Sequence, residues 1–422
     1  MNVPKLRFKD NNDNDYPQWN HSFFYDTFKF LSTNSYSRND MNTINGTIKN
    51  IHYGDILTKF NHIIDTEKDI LPYLNDNIIV KNLLNYTIQS GDIVIADTAE
   101  DYTTGKTCEI INSNNQLIVA GLHTMLCRPK QNIFTVGFLG YFMNSNIYHN
   151  QLLPLITGIK VYSIIKKEII KTQISIPCIE EQKKIANFLT TVDKKITNLE
   201  NIITSLENQK KGLLQQIFSQ KLRFKDKNGN NYPNWEKKKL GDILKDFYLG
   251  GNYKNSTKIT KYPLLKMGNL DRGKINLNKI EYIEENEPIN ERDKIHFGDL
   301  FFNTRNTPDL VGKVAIWRNE LPLMYFNSNL MKMTFDNNFF MNYKFNTKKV
   351  ILKLRSIATG TTSVGAIYTK DLLKLELNIP CLEEQTKIAD FLSAFDRKLE
   401  NQKAQLEHWQ QIKKGLLQQM FV

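Results

Sequence analysis

Two copies of one sequence plan run through the 422 residues of this chain. LRFKDNNDNDYPQW (residues 6–19) returns as LRFKDKNGNNYPNW (residues 222–235). IPCIEEQKKIANFL (residues 176–189) returns as IPCLEEQTKIADFL (residues 379–392). An internal repeat of this length indicates a duplicated structural plan. We therefore predict two related halves, each with its own core.

The order of the repeated strings is circular. KKGLLQQIF (residues 210–218) continues into SQKLRFKD, whereas its second copy KKGLLQQMF (residues 413–421) stands at the end of the sequence, and PKLRFKD stands at the beginning. Joining the end to the beginning would regenerate the internal junction. The two ends are therefore predicted to meet in a pseudo-two-fold circular arrangement, which suits a partner with two half-sites.

A long helix is predicted after each IPC string. Acidic residues open both segments, which stabilises a helix N-terminus. Narrow apolar rows with a spacing of seven then follow, as in coiled coils. The rows include Ile185, Val192, Leu199, Leu206 and Leu213 in the first helix and Ile388, Phe395, Leu399, Leu406 and Trp409 in the second. We predict that the two helices pair antiparallel and act as spacers of about 57 Å.

Between the helices lie two unlike segments rich in β-branched and aromatic runs such as DIVIADT and KVAIW. Each is predicted to be an α/β domain. The fold class is thus α+β, with two α/β domains separated by two long antiparallel coiled-coil helices. The predicted segments are residues 1–175, 176–222, 223–378 and 379–422. Periodicity alone leaves open ordinary bundle helices in one core, but two matched helices alternating with unlike domains favour spacers.

Composition narrows the class of protein. A net charge of +12 and a pI near 9.2 favour an anionic partner such as nucleic acid, although genomic base composition can also make a chain basic. The four cysteines are far apart, which fits a reducing cytoplasm. The sequence shows neither an apolar leader nor a membrane span, so we expect a cytoplasmic protein without a membrane partner.

Polar loops in the two variable segments are the candidate DNA-binding sites. Arg, Asn and Gln read base edges, whereas Lys grips phosphate. The alternative is that the same residues are turn formers and solvated charges. The candidates are Thr98, Tyr102, Thr104, Lys106, His123, Arg128 and Lys160 in the first segment and Asn269, Arg272, Lys274, Thr304, Arg305, Asn306, Lys313 and Asn329 in the second.

Motifs for catalysis are missing from the sequence. The histidines show no metal-ligand spacing, and GxSxG, Walker A and GxGxxG strings do not occur. The aminomethyltransferase signature needs two adjacent prolines, which the chain lacks, and the acid after Pro308-Asp309 does not complete a nuclease motif. We therefore expect neither a catalytic residue nor a metal site in this chain.

Two variable segments, each closed by an I-P-x-x-E-Q-x-K-I-A-x-F-L helix, resemble the specificity subunits of type I restriction-modification systems. The resemblance covers nearly the whole chain, including the KKGLLQQ and LRFKD strings, the circular order, and GD and GK strings in both variable segments. It implies that the variable segments are target recognition domains, each reading one half of an interrupted, asymmetric site in double-stranded DNA.

The resemblance also implies partners and cofactors. Two methyltransferase subunits would dock on the helices and methylate adenine with S-adenosylmethionine, and motor-nuclease subunits using ATP and Mg²⁺ would join for cleavage. The chain itself would hold no cofactor. The family's recognition domains vary so much that individual loop residues cannot be carried over.

Two other classes of function stay open at this point. A self-contained nuclease or methyltransferase would modify DNA without partners, and the missing motifs argue against it. A protein-assembly scaffold would lack the steep salt dependence that phosphate contacts give to DNA binding.

Overall fold

The computed structural model describes residues 4–75, 85–114, 116–360 and 365–421. The chain divides into two units, of which the first comprises residues 1–201 and 404–422 and the second residues 202–403. Each unit therefore combines one variable segment with a part of both long helices.

The first unit is a mixed α/β structure. Its strands are β1 (Asn20–Phe23), β2 (Phe28–Leu31), β3 (Met41–Asn42), β4 (Ile48–Ile51), β5 (Ile63–Asp65), β6 (Tyr73–Leu74), β7 (Ile93–Ala96), β8 (Thr98–Ala99), β9 (Thr107–Ile111), β10 (Leu117–Ala120), β11 (Thr124–Pro129), β12 (Tyr162–Ser163) and β13 (Gln173–Ile176). Its helices are α1 (Phe24–Thr27), α2 (Tyr53–Thr58), α3 (Phe138–Phe142), α4 (Asn146–Leu152), α5 (Lys166–Ile169) and the first part of α6 (Ile179–Phe218).

A five-stranded sheet in the order β2-β11-β7-β9-β5 forms the centre of this unit. Strand β7 shows that this sheet separates two cores, because successive side chains of a strand point to opposite faces of the sheet. Ile93 and Ile95 pack into the core that includes α3 and α6, whereas Val94 and Ala96 pack into the core on the other face. A second sheet, β10-β4-β6-β3, and the pairs β1-β13 and β8-β12 complete the unit.

The second unit repeats this plan. Its strands are β14 (Glu236–Lys239), β15 (Asp246–Leu249), β16 (Asn255–Ser256), β17 (Pro263–Leu265), β18 (Glu281–Ile283), β19 (Leu300–Asn303), β20 (Arg305–Asn306), β21 (Val314–Ile316), β22 (Tyr325–Phe326), β23 (Leu330–Thr334), β24 (Thr359–Gly360), β25 (Gly365–Ala366) and β26 (Glu376–Ile379). Its helices are the last part of α6, α7 (Leu240–Ile243), α8 (Asn338–Phe345), α9 (Lys348–Ile357), α10 (Thr369–Leu372) and the first part of α11 (Leu382–Met420).

The sheet β15-β23-β19-β21 corresponds to the central sheet of the first unit, and β19 is sandwiched as β7 is. Leu300 and Phe302 pack into the core with α8, α9 and α11, and Phe301 packs into the core on the opposite face. The sheet β16-β18-β17-β22, the pair β14-β26 and the sheet β20-β25-β24 complete the unit. The two variable segments thus share one scaffold despite their different sequences.

Helices α6 and α11 confirm the predicted pair of long helices, with 40 and 39 residues. In the first unit Lys413 of α11 reaches Asp193 of α6 at 2.6 Å. In the second unit Lys403 pairs with Glu207 at 2.6 Å, and Asp396 pairs with Lys210. Positions rise along one helix as they fall along the other, so the helices run antiparallel within each unit.

The predicted apolar rows face this helix pair and the adjoining cores. Ile185, Val192, Leu199, Leu206 and Ile388 are buried. Leu213 is partly buried and packs against the core of the second unit. Four residues of the α11 row are half-buried: Phe395, Leu399, Leu406 and Trp409. The predicted boundaries between helices and variable domains are finer than the division into two units and stay a prediction.

Candidate nucleic-acid interface

A tight loop follows the central strand β7 of the first unit. The Gly105 N–H donates to the Ala96 carbonyl at 2.8 Å, and the Ala96 N–H donates to the Lys106 carbonyl at 2.9 Å. Gly105 has a φ of 90°, and a Cβ there would lie 2.5 Å from Leu152, so the turn requires glycine. We call residues 97–106 the first loop.

The second unit builds the same loop after β19. Gly312 donates to the Asn303 carbonyl at 3.0 Å, and Asn303 donates to the Lys313 carbonyl at 2.8 Å. Behind the loops, the Ile164 N–H donates to the Asp97 backbone carbonyl at 2.9 Å, and the Ile367 N–H donates to the Thr304 backbone carbonyl at 3.0 Å. We call residues 304–313 the second loop. The GD and GK strings noticed in the sequence therefore frame equivalent loops whose other side chains differ.

Three polar side chains meet at the base of the first loop. The Thr98 hydroxyl donates to the Asp97 carboxylate at 2.8 Å and lies 3.3 Å from the His123 Nδ1, which is 3.4 Å from Asp97. Two of them, Asp97 and His123, line a cleft of about 470 Å³ together with Thr33, Asn34, Ser35, Tyr36, Leu122 and Thr124. Hydroxyl, amide, carboxylate and imidazole groups can donate to and accept from base edges.

The second loop presents different chemistry at the equivalent place. The Thr304 N–H donates to the Asn329 carbonyl at 3.3 Å as the Asp97 N–H donates to the His123 carbonyl at 3.1 Å, so Asn329 takes the place of His123. The Thr304 hydroxyl donates to the same Asn329 carbonyl at 3.1 Å. Arg305 is exposed in β20, next to Asn306, whose side-chain oxygen accepts the Thr307 N–H at 2.8 Å. A forked guanidinium beside an amide is a pairing that reads guanine and adenine.

Exposed groups also surround the first loop. The Tyr102 ring is 60% exposed and packs on Tyr162 with ring centroids 4.8 Å apart. Lys160 is exposed between Ile159 and Val161, which are 92% and 54% exposed. Aromatic and cationic groups of this kind can contact sugar and phosphate.

Other predicted DNA-binding residues point into the protein. Thr104 is fully buried, with its hydroxyl on the carbonyls of Asp101 and Tyr162. Lys106 donates to the carbonyls of Leu57 and Phe60 at 3.2 and 2.8 Å, and burial lowers its pKa. In the described conformation these two side chains stabilise the first loop from inside.

Three more of the predicted DNA-binding residues also point into the protein: Arg128, Asn269 and Lys313. Arg128 makes a bidentate ion pair with Asp92 at 2.7 Å. Asn269 is 5% exposed and donates to the carbonyls of Asn276 and Lys279 at 3.0 and 2.7 Å. The Lys313 side chain is 15% exposed and lies 3.9 Å from Asp271.

The last two candidates are more accessible. Arg272 is half-buried, and its Nη2 donates to the Asp309 carbonyl at 3.4 Å, whereas Lys274 is exposed. Base or phosphate contact by each candidate stays a prediction.

The comparison with protein families decides the identity. Residues 4–208 and 232–408 match the model of the type I restriction modification DNA specificity domain. The chain belongs to this family. Membership in this family confirms the resemblance found in the sequence.

Individual specificity subunits are related to it over parts of their length. It is 26% identical over 217 residues to the putative type I restriction enzyme MjaX specificity subunit of Methanocaldococcus jannaschii, covering 50% of each chain. It is 28% identical over 184 residues to the type I restriction enzyme EcoKI specificity subunit of Escherichia coli strain K12, covering 42% of this chain and 39% of that one. The chain thus aligns with half the length, or less, of these two relatives.

Solved specificity-subunit structures share the fold. The crystal structure of the type I restriction-modification S subunit from M. genitalium matches with a TM-score of 0.59 at 14% identity, covering 100% of this chain and 99% of that one. A chain from a structural study of type I system assembly and conformational transition matches with a TM-score of 0.52 at 16% identity, covering 96% and 98%. The predicted fold class is therefore confirmed.

The repeated strings of this specificity subunit build one joint in each unit. Arg7 grips the buried Glu181 carboxylate at 2.9 and 2.7 Å, and the Trp19 indole donates to it at 3.0 Å. The second unit repeats the joint with Arg223, Glu384 and Trp235, at 2.7, 2.8 and 3.0 Å. The sequence analysis missed these contacts, although the identical letters of LRFKD, YPxW and EEQ marked them.

The described residues of this specificity subunit hold no cluster of three or more His, Cys, Asp or Glu side chains that could bind a metal ion. Within the same residues, every helix is too short or too polar to cross a membrane.

Proposed function

We propose that this specificity subunit reads a two-part site in double-stranded DNA, with each unit contacting one half. The proposal rests above all on the two equivalent loops, which have the same backbone hydrogen bonds and different exposed side chains. Thr98 and His123 at the first loop and Arg305 and Asn306 at the second offer different hydrogen-bond patterns to base edges. A common scaffold with different polar tips suits an asymmetric site.

We also propose that two methyltransferase subunits dock on surfaces repeated in both units. Phe188 of α6 and Phe391 of α11 are 39% and 36% exposed at equivalent positions, as are Leu6 and Leu222 at 40% and 36%. A surface that occurs twice fits the same partner twice. These partners would carry S-adenosylmethionine and methylate adenine, and motor-nuclease subunits using ATP and Mg²⁺ would join them for cleavage.

Helices α6 and α11 are proposed to set the spacing between the half-sites. Forty residues at 1.5 Å each give a helix of about 60 Å. We expect half-sites about one DNA turn, roughly 34 Å, apart from centre to centre. A DNA footprint whose two half-sites lie at a very different distance from each other would contradict this spacing.

Co-expression of the chain with a methyltransferase subunit of a type I system tests the proposal. Single-molecule sequencing of the host DNA should find N6-methyladenine at one new interrupted motif. Exchange of residues 20–175 for the variable segment of another specificity subunit should change one half of that motif only. A stable complex that produces no new motif would contradict the proposal and favour a scaffold.

Arg305→Ala tests the second loop directly. If the guanidinium contacts a base, the methyltransferase complex should bind its motif more weakly by about 1–3 kcal/mol, and one half-site should become less selective. Lys258→Ala is the matched control, because Lys258 is an exposed cation between β16 and β17, outside the loop. Equal effects of the two substitutions in a fluorescence-anisotropy titration would count against base contact by Arg305.

A further inference from the structure

Helix α9 carries four basic side chains and no acidic one in the sequence KKVILKLRSI. Val350 and Leu354 are buried and turn one face of the helix to the core. Lys348 and Lys349 are exposed at its beginning. Across the described parts of the chain, neither of these two ammonium groups forms an ion pair. The exposed face of α9 is therefore strongly positive.

Strand β14, with the sequence EKKK, adds to this charge beside α9. Lys237 pairs with the Glu376 carboxylate at 2.6 Å, and Lys353 of α9 donates to the Glu376 backbone carbonyl at 2.7 Å. The hydrogen bond from Lys237, then the charges of Lys237, Lys353 and Lys239, lower the pKa of Glu376. Three lysines thus surround the Glu376 carboxylate, while Lys238 pairs with Glu236 at 2.9 Å, so the surface keeps a net positive charge.

A buried lysine lies behind the same surface. The Lys344 ammonium is 5.3 Å from the Phe218 ring centre and 4.9 Å from that of Trp235. Burial, and then the charges of Lys349 and Lys353, lower its pKa to about 8. The positive charges of Lys349 and Lys353 both act on the Lys344 ammonium, so the positive potential of the surface extends into the unit.

The surface continues to the second loop. Near the end of α9, Arg355 donates to the Asp309 carbonyl at 3.0 Å, and Arg272 donates to the same oxygen at 3.4 Å. Burial, and then the charge of Arg355, lower the pKa of Arg272. Two guanidinium groups therefore converge on Asp309 of the loop, and that of Arg355 also lies 3.5 Å from the Asp309 carboxylate.

The fold itself does not require these charges. In the first unit, β1 pairs with β13 as β14 pairs with β26, yet its sequence is NHSF. The helix after α3, α4, has the sequence NIYHNQL, which contains neither lysine nor arginine. The positive surface belongs to the second unit alone among the described parts of these elements, which indicates a function and not a structural need.

We propose that the exposed face of α9, together with β14, is a phosphate-binding surface that holds the DNA backbone beside the half-site read by the second loop. This inference rests on the proposed function. Lysine ammonium groups are point charges that grip phosphate without reading bases. Continuity with the loop places them on the same ligand, and so favours DNA over an acidic protein partner.

The test uses the complex of the full chain with its methyltransferase subunits, in which Lys348 and Lys349 are both replaced by glutamine. Its affinity for a duplex carrying the methylated motif is titrated over a series of KCl concentrations. Each lost phosphate contact lowers the slope of log K against log salt by about 0.9, so the double variant should lose about 2 from the slope. Affinity for a scrambled duplex should fall by the same factor, since phosphate contacts carry no sequence information.

A Lys258→Gln, Lys279→Gln variant is the matched control, because it removes the same charge from exposed positions of the same unit away from α9 and β14. A salt slope equal to that of the control would overturn the inference. Failure of the variant to assemble with the methyltransferase subunits, seen by gel filtration, would also overturn it and assign the surface to a protein partner. Absence of a methylated motif for the unmodified complex would instead refute the proposed function.

Discussion

At the scale of single residues, the first unit contains a buried carboxyl group without a counterpart in the second. Glu109 of β9 is fully buried, and its two oxygens accept the N–H groups of Gly137 and Gly140 at 2.6 and 2.8 Å. Burial raises its pKa to about 7, against the opposing effect of the backbone donors. The equivalent position on β21 is Ile316, which pairs with Leu300 as Glu109 pairs with Ile93.

Glu109 should make the stability of the first unit depend on pH. Between about pH 4.5 and 7 the unfolded chain has released this proton while the folded chain retains it, so the free energy of unfolding falls as pH rises. The fall should amount to about 3 kcal/mol, because the pKa rises from 4.5 to about 7 and each pKa unit corresponds to about 1.4 kcal/mol. Glu109→Gln mimics the protonated form and should remove this dependence in urea unfolding at pH 5 and pH 8.

The exposed Glu100→Gln substitution is the control and should leave the pH dependence unchanged. If Glu109→Gln and the unmodified chain lose the same stability between the two pH values, the assignment to Glu109 is wrong.

At the scale of elements, each unit places a largely buried ion pair in the seam of the helix pair. In the first unit the Asp193 carboxylate pairs with Lys413 at 2.6 Å and accepts the Tyr141 hydroxyl at 2.9 Å. In the second unit Asp396 pairs with Lys210, accepts the Tyr343 hydroxyl at 2.6 Å and lies 3.5 Å from Arg318. A single polar layer can fix the alignment of a coiled coil, because a shifted register leaves its charges unpaired.

The two layers differ in a way that mutation can measure. Lys413→Met leaves Asp193 without a cation among the described residues, whereas Lys210→Met leaves Asp396 near Arg318. Removal of one partner from a buried pair is strongly destabilising. Since both pairs are partly exposed, we expect a loss of about 2–3 kcal/mol for Lys413→Met and about 1 kcal/mol for Lys210→Met, measured by chemical unfolding.

A second substitution, Asp193→Leu, should recover most of the stability lost in Lys413→Met, because it removes the unpaired charge. Equal losses for the two lysine variants, or no recovery in the double variant, would contradict this account of the seam.

At the scale of the whole molecule, the predicted meeting of the chain ends has a structural basis in the first unit. The Leu6 N–H donates to the Gln419 carbonyl at 3.0 Å, which joins the first residues to the end of α11. In the second unit Leu222 donates to Gln216 at 3.1 Å along the continuous chain that leaves α6. The first unit thus makes this backbone hydrogen bond between the two ends of the chain. The second unit makes the equivalent bond within one continuous segment.

A circular permutant should therefore fold. Residue 421 is linked to residue 5 through a Ser-Gln copy of the internal junction, and new ends are opened at residues 219–221. We expect a free energy of unfolding within about 1 kcal/mol of the original, because the new ends lie in an exposed connection. The permutant should also direct methylation to the same motif.

Opening the chain after Ile196 instead, inside α6, interrupts the buried seam and should abolish folding. Failure of both permutants in thermal unfolding would show that the covalent junction at residues 219–221 is needed for more than connection.

The sequence by itself determined the duplication, the two long helices, the α/β character of the variable segments and the family. These features are written in local patterns: identical strings, a spacing of seven, and strand-length apolar runs. It also marked the joint residues Arg7 and Glu181 by repetition, but their pairing joins positions 174 apart in sequence, so the contact itself could not be read.

The tertiary structure alone decided which polar side chains face solvent. Thr104, Arg128 and Asn269 are of the same residue types as Thr98, Arg305 and Asn306, and all six were equal candidates in the sequence. The fold turns the first three inward, toward Tyr162, Asp92 and Lys279, and leaves the others at the loops. A side chain's direction depends on partners far away along the chain, because burial is favourable for a polar group only where such a partner satisfies its hydrogen bonds.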